Sequence, residues 1–181
     1  IIDGLVTGKI DAGPPSVAAG ITTIVESQNP GALKVYSLAC GYDGQLVDEL
    51  LVPANSTITS ISDLKGKKIG HIPGPQWATM TKKTLLVNGV DPKDVTLVEL
   101  PASTQLTTLA ANGVDALFTL EPIGTIGEQK GAAKILIENP FEKMVVNPWC
   151  GGAGVVSAKF VNARPEVAKK FIEVMNAAAR E

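Results

Sequence analysis

Short β-branched apolar runs alternate along this chain with segments of helical periodicity. Such alternation is typical of an α/β fold in which helices cover both faces of a mostly parallel sheet. Eight apolar runs are predicted to form strands, at residues 10–12, 33–39, 49–52, 68–72, 95–100, 116–120, 134–137 and 154–157. The pattern therefore predicts an α/β protein.

Helices are predicted between these strands. Residues 77–87, 103–111 and 122–130 each end at a glycine or an Asn-Gly pair, which tolerates the positive φ found after a helix. A short helix is expected at 17–20 and a final one at 163–181, where Pro165 suits the first turn. Three strand–helix units therefore lie in one block, from about residue 58 to residue 137.

Two stretches interrupt this pattern and are predicted to be hinge crossings between two lobes. The first covers residues 52–60, where turn-forming residues follow a strand, and the second covers residues 145–154. On this interpretation lobe 1 comprises residues 1–53 with 150–181 returning to it, and lobe 2 comprises residues 58–146. Ordinary surface loops are the alternative for both stretches.

Composition and charge exclude several classes of function. The net charge is −2 and the lysines are scattered, so the basic stripe of a nucleic-acid-binding surface is absent from the sequence. Every apolar run is interrupted before the roughly 18 residues that a membrane span requires. A hydrophobic fraction of 45% with 19% charged residues is typical of a globular protein.

Several motifs, taken in order, resemble one protein family. They are Ser-Asp-Leu-Lys-Gly-Lys-Lys-Ile-Gly at 62–70, Asn-Gly-Val-Asp-Pro at 88–92, Ala-Ala-Asn-Gly-Val-Asp-Ala at 110–116 and Glu-Pro at 121–122. This set resembles the second lobe of the solute-binding proteins of the nitrate, sulfonate, taurine and thiamine-precursor transporter family. Residues 5–13 resemble a segment of that family's first lobe.

The resemblance implies a type II periplasmic-binding-protein fold, in which two α/β lobes joined by two crossing strands close on a small molecule. It implies a monomeric receptor without cofactor or metal, not an enzyme, that delivers its ligand to the permease subunits of an ABC importer. The expected location is the periplasm or the outer face of the cytoplasmic membrane, with or without a lipid anchor. Family members begin before and continue beyond the matched segment, so the first lobe is expected to be incomplete here.

Two other functions remain open on the same scaffold. Pyrimidine-precursor synthases of thiamine biosynthesis resemble this family, but they carry a cysteine-rich motif and further histidines, whereas His71 is the single histidine of this sequence. The effector domain of a transcription regulator is the other alternative, and it requires a helix-turn-helix segment ahead of Ile1.

Ligand-binding residues are predicted where strands end, because ligands of open α/β sheets lie beyond the carboxyl ends of the strands. Helix N-termini after Ser16 and at Gln76 offer backbone N–H groups to an anion without Arg or Lys, although stiff proline loops are the alternative. Trp77 and Tyr42 either line the ligand or belong to the core. The predicted set is Pro14, Ser16, Cys40, Tyr42, Gly74, Gln76, Trp77, Thr119 and Glu121.

Glu121 is the most specific of these candidates. A carboxylate at a strand end can accept hydrogen bonds from an amine, a ring N–H or hydroxyl groups, and it repels a bare anion. Capping of the helix that begins near Pro122 is the alternative. The ligand is therefore predicted to be a small anionic or amphoteric organic molecule.

The two cysteines are too few for a disulfide scaffold or a zinc site. Cys40 ends a predicted strand, and Cys150 precedes the return strand at 154–157, which the type II fold places antiparallel beside it. A disulfide between them is one interpretation, and two buried thiols are the other. His71 is interpreted as a strand-end residue.

Overall fold

The computed structural model describes residues 1–41 and 45–179, with the backbone alone at Pro15, Ser16 and Ala19. The chain divides into two units: unit 1 comprises Ile1–Cys40 and Cys150–Glu181, and unit 2 comprises Gly41–Trp149. The chain therefore passes from unit 1 to unit 2 after Cys40 and returns after Trp149.

Unit 1 is a three-stranded sheet with helices packed on it. The sheet order is β1-β8-β2, and β8 is antiparallel to both neighbours, so β1 and β2 run in the same direction. Its core includes Leu5, Val25, Leu33 and Val155. The elements of unit 1 are α1 (Ile2–Thr7), β1 (Ala12–Ala18), α2 (Ala19–Gln28), β2 (Leu33–Cys40), β8 (Cys150–Ser157), α7 (Ala158–Ala163) and α8 (Pro165–Ala178).

Unit 2 is a five-stranded mixed sheet in the order β5-β4-β6-β3-β7. β4 is parallel to β5 and β6, whereas β3 is antiparallel to β6 and β7. Apolar residues pack on both faces, with Leu50 and Phe118 on one and Leu51 and Leu117 on the other. The elements of unit 2 are β3 (Asp48–Pro53), β4 (Lys68–His71), α3 (Pro75–Val87), β5 (Thr96–Glu99), α4 (Ala102–Ala110), β6 (Ala116–Leu120), α5 (Ile123–Gln129), β7 (Ala133–Glu138) and α6 (Pro140–Met144).

The predicted α/β fold is confirmed, and each predicted strand has a counterpart. The first crossing, however, was predicted at 52–60, and the structure places it at Cys40–Gly41. The physical reason is pairing, because β3 forms ladders with β6 and β7 and so belongs to unit 2. The stretch after β3 is consequently a connection inside unit 2.

β1 and the helix after it begin later than predicted. β1 runs over Ala12–Ala18, and its register against β8 shifts between Gly13 and Val17. Pro14 lies inside this irregular part of the strand, where a residue outside the ladder needs no backbone N–H. α2 therefore begins at Ala19 instead of residue 17. Among the described residues, no helix combines the length and apolar character needed to cross a bilayer.

Candidate ligand site in unit 2

One edge of the unit 2 sheet gathers most of the predicted ligand residues. The carboxyl ends of β4, β5, β6 and β7 lie at this edge together with the amino end of β3, because β3 alone runs in the opposite direction. Gly74 and Gln76 follow β4, and Glu121 follows β6. Ligands of α/β proteins bind at edges of this kind.

α3 begins at this edge, directly after Gly74. Gly74 has φ 117°, a conformation that side chains rarely adopt, and Pro75 occupies the first turn. The Gly74 N–H donates to the Glu99 carboxylate over 3.2 Å, so the chain's own anion occupies part of the helix N-terminus. Gln76 is half-buried in the first turn. The site therefore binds a carboxylate already, as the positive end of a helix dipole favours.

Trp77 has the core role that the sequence left open. Its side chain is only 8% exposed and packs against Phe141, with the two ring centroids 5.1 Å apart. Phe141 in turn stacks on Phe118. The prediction that Trp77 lines the ligand is therefore replaced by a packing role in unit 2.

Thr119 is also interior. It is fully buried, and its hydroxyl donates to the Gln105 amide oxygen over 2.6 Å. The Gln105 amide nitrogen donates to the Leu100 carbonyl over 2.9 Å. Alternation along β6 directs Thr119 to the face covered by α4, so Thr119 fixes α4 on the sheet instead of lining a ligand site.

Glu121 is half-buried at the end of β6 and interacts with the first turn of α5. Its carboxylate accepts hydrogen bonds from the Thr125 hydroxyl over 2.6 Å and from the Thr125 N–H over 3.4 Å. These bonds correspond to the helix-capping alternative. A carboxylate that is held in this way retains lone pairs for a ligand donor.

Glu49 is the residue at this edge that the sequence analysis missed. It lies in β3 opposite Thr119, it is fully buried, and neither carboxyl oxygen has a hydrogen-bond donor among the described residues. Burial and the adjacent Glu121 carboxylate raise the pKa of Glu49 to about 8, and the nearby backbone N–H of Gly124, which does not reach hydrogen-bond geometry, offsets this only in part. The one signal in the sequence is a pair of acids directly before the apolar run of β3.

Asp48, the other acid of that pair, points to the opposite face of the sheet. It is almost fully buried, and its Oδ2 accepts a hydrogen bond from the Phe141 N–H over 3.0 Å. Burial raises the pKa of Asp48 to about 6. The Asn139 amide oxygen accepts from the Val47 N–H over 2.8 Å, which fixes the entry into β3. Asp48 therefore anchors α6 to the sheet edge.

The predicted residues outside unit 2 are placed less completely. Pro14 is exposed within β1, whereas the side chain of Ser16 and the whole of Tyr42 lie outside the described residues. Cys40 and Cys150 are joined in a disulfide that links the end of β2 to the start of β8. The Cys40 thiol is therefore not available to a ligand. Within the described part of the chain, no cluster of three or more His, Cys, Asp or Glu residues suits a metal ion.

Several known proteins are similar to this chain in sequence and in fold. A protein of Bacillus subtilis (strain 168), provisionally named as an aliphatic sulfonates-binding protein, is 27% identical over 176 residues. That match covers 97% of this chain and 50% of the relative. The chain thus spans about half the length of the curated relative that it matches.

Two solved structures are similar to this chain in fold. A protein of Methylobacillus flagellatus KT, provisionally assigned as a periplasmic sulfonate-binding protein SsuA, is 29% identical, with a TM-score of 0.68 over 93% of this chain and 48% of that one. The periplasmic aliphatic sulphonate-binding protein SsuA of Escherichia coli has a TM-score of 0.74 at 19% identity, over 99% of this chain and 59% of that one. The expected type II periplasmic-binding-protein fold is therefore confirmed.

The family follows from the extent of the sequence match. The model of the NMT1/THI5 like family matches residues 4–181, which is nearly the whole chain. This agrees with the family predicted from the ordered motifs at 62–122. The chain belongs to the NMT1/THI5-like family.

Proposed function

We propose that this chain is part of the solute-binding protein of an ABC importer and that its ligand is an aliphatic sulfonate. The observation that carries the proposal is the family match over residues 4–181 together with a 27% identical relative named for sulfonates. A sulfonate presents three acceptor oxygens, and backbone N–H groups at a helix N-terminus suit such an anion. The N-terminus of α3, at the carboxyl edge of the sheet, supplies these groups.

A receptor is favoured over the synthase and the regulator. The relatives with matching sequence and fold are named as binding proteins, and binding requires no catalytic group. Permease subunits in the membrane are the partners that this function requires, and the receptor acts as a monomer. The Cys40–Cys150 disulfide supports a location outside the cytoplasm, since disulfides persist in oxidising compartments.

Replacement of Glu99 by glutamine is expected to strengthen sulfonate binding about fivefold. The Glu99 carboxylate accepts the Gly74 N–H over 3.2 Å and so competes with a ligand anion at the start of α3. Loss of one negative charge near a helix N-terminus corresponds to about 1 kcal/mol. The measurement is calorimetric titration of the full-length protein with ethanesulfonate at pH 7.

The matched control is Asp94→Asn. Asp94 precedes the amino end of the same strand, β5, and forms an exposed ion pair with Lys65. The Asp94→Asn substitution therefore removes one negative charge at the opposite edge of the sheet, and we expect no change in affinity. Equal effects of Glu99→Gln and Asp94→Asn would contradict the assignment of the α3 N-terminus as the sulfonate site.

Gln76→Ala is expected to weaken ethanesulfonate binding about tenfold while the Tm of the ligand-free protein changes by no more than about 2 °C. Gln76 lies half-buried in the first turn of α3, where its amide can donate to a bound sulfonate. A lost hydrogen bond to a charged ligand costs about 1.5 kcal/mol. A large fall in Tm with unchanged affinity would show that Gln76 is structural instead.

A further inference from the structure

Glu49 is a buried acid that has neither a hydrogen-bond donor nor a cation as a partner among the described residues. It is fully buried, and its two carboxyl oxygens lack a hydrogen-bond donor among the described residues. A buried carboxylate in this state is costly, because the charge has lost water without gaining a donor or a cation. A proton on Glu49 removes the charge and creates a donor at the same time.

The acceptor for that proton is already in place. Glu121 follows Thr119, the ladder partner of Glu49, by two residues, and its N–H donates to the Val47 carbonyl over 3.0 Å. The two glutamates are therefore diagonal neighbours on adjacent strands, which brings their long side chains within reach of each other. Two ionised carboxylates at this distance repel each other, whereas one carboxylic acid and one carboxylate form a charge-assisted hydrogen bond. Gly124 packs directly against the Glu49 carboxyl, since a methyl group on Gly124 would overlap it.

The other groups around Glu49 favour the protonated form. Thr119 of β6 and Gln105 of α4 are neutral and bonded to each other. Glu128 of α5 adds a negative charge. Glu138 of β7, opposite Glu49 in the ladder, is acidic as well, and it forms an ion pair with Lys143 over 3.9 Å. Lys134 of β7 donates to the Ser56 carbonyl over 2.8 Å, so its ammonium group is engaged away from Glu49.

We propose that Glu49 is protonated at neutral pH and donates a hydrogen bond to Glu121, so that the pair carries one negative charge and Glu49 positions Glu121 at the candidate ligand site. The role at the ligand site rests on the proposed function, whereas the shared proton does not. When pH rises, the Glu49 proton is lost to solvent and the pair carries two negative charges. A sulfonate at the same edge of the sheet is then repelled more strongly.

The sign of the effect on stability follows from linkage. The pKa of Glu49 is about 8 in the folded chain and 4.5 in its ordinary state. The unfolded chain therefore releases this proton at lower pH than the folded chain does. The stabilising contribution of the protonated acid is complete below pH 4.5 and is lost as pH rises through about 8.

The first test compares the Tm of ligand-free wild type and Glu49→Gln from pH 5 to pH 9. Glutamine has the shape of the protonated acid and cannot ionise. The Tm of the variant minus the Tm of the wild type is therefore expected to increase by about 5 °C between pH 5 and pH 9. Glu138→Gln is the matched control, because it removes an exposed acid from the neighbouring strand and should give a constant difference. A constant difference for Glu49→Gln as well would overturn the proposal.

Glu121→Gln provides a second variant in case Glu49→Gln folds poorly. Without the Glu121 charge the folded-state pKa of Glu49 falls, so the loss of stability with rising pH should end at lower pH and be smaller in total than in the wild type. An unchanged pH profile would mean that the two carboxyl groups do not share a proton.

The ligand arm measures ethanesulfonate affinity at pH 6 and pH 9. Wild type is expected to bind about fivefold more weakly at pH 9, and Glu49→Gln equally at both values. An equal loss in Glu49→Gln would remove the role of Glu49 at the ligand site. If ethanesulfonate binds at neither pH, the proposed function fails, and the ligand-free Tm profiles still decide whether the proton is shared.

Discussion

Replacement of Cys40 and Cys150 by alanine is expected to lower the free energy of unfolding by about 3–5 kcal/mol. The disulfide joins residues separated by 110 positions, and a cross-link that closes a loop of this length restricts the unfolded chain by about 4–5 kcal/mol in the chain-entropy model. It also fixes the last residue of β2 to the first residue of β8, which are partners in the ladder. Urea denaturation followed by far-UV circular dichroism measures the change.

Reduction provides the control for this prediction. Dithiothreitol should lower the urea midpoint of the wild type to that of the double variant and should leave the double variant unchanged. Both cysteines belong to unit 1, so unit 1 should lose the most stability. Trp77 and Trp149 belong to unit 2, so their fluorescence should change less than the circular dichroism signal. A wild-type midpoint that is insensitive to dithiothreitol, with the reduced thiols verified by mass, would contradict this account of the disulfide.

Gly124→Ala is expected to destabilise unit 2 by about 2–3 kcal/mol. A methyl group at this position would overlap the Glu49 carboxyl, and Glu49 is fully buried in β3, so its side chain cannot move into solvent. Overpacking of a filled interior typically costs about 1–3 kcal/mol. Tryptophan fluorescence during urea denaturation follows unit 2 directly, since both tryptophans lie there.

The matched background for this change is Glu49→Ala. When the carboxyl is absent, the added methyl group finds space, and alanine favours the α5 helix over glycine by about 1 kcal/mol. Gly124→Ala should then be neutral or slightly stabilising. An equally large loss of stability in both backgrounds would show that Gly124 is required for a reason other than its contact with Glu49.

The strands could be predicted because their signal is local. Most of them contain a short apolar run, and β6 was predicted with the bounds that the structure shows, Ala116–Leu120. The assignment of β3 to a lobe was wrong because strand pairing is not local. β3 pairs with β6 and β7, which follow far along the chain, and nothing in its own sequence identifies those partners.

The candidate site could be predicted only in part, for related reasons. Gly74, Gln76 and Glu121 follow strands, and the strand-end rule locates such residues from the sequence. The rule does not tell which side chains turn inward, so Trp77 and Thr119 were included although both are buried. Glu49 was missed because an acid at the start of a strand is normally exposed, and it is buried here by packing against Gly124 of α5, which lies far along the chain.

Native mass spectrometry of the full-length protein with ethanesulfonate tests the central claim, sulfonate binding, most directly. We predict one adduct per chain that has the mass of ethanesulfonate and disappears under denaturing conditions. Ethylamine should displace little of it. The ligand should be recovered unaltered, because a receptor binds without chemistry. Absence of an adduct with any aliphatic sulfonate at millimolar concentration, or conversion of the sulfonate to a product, would contradict the account.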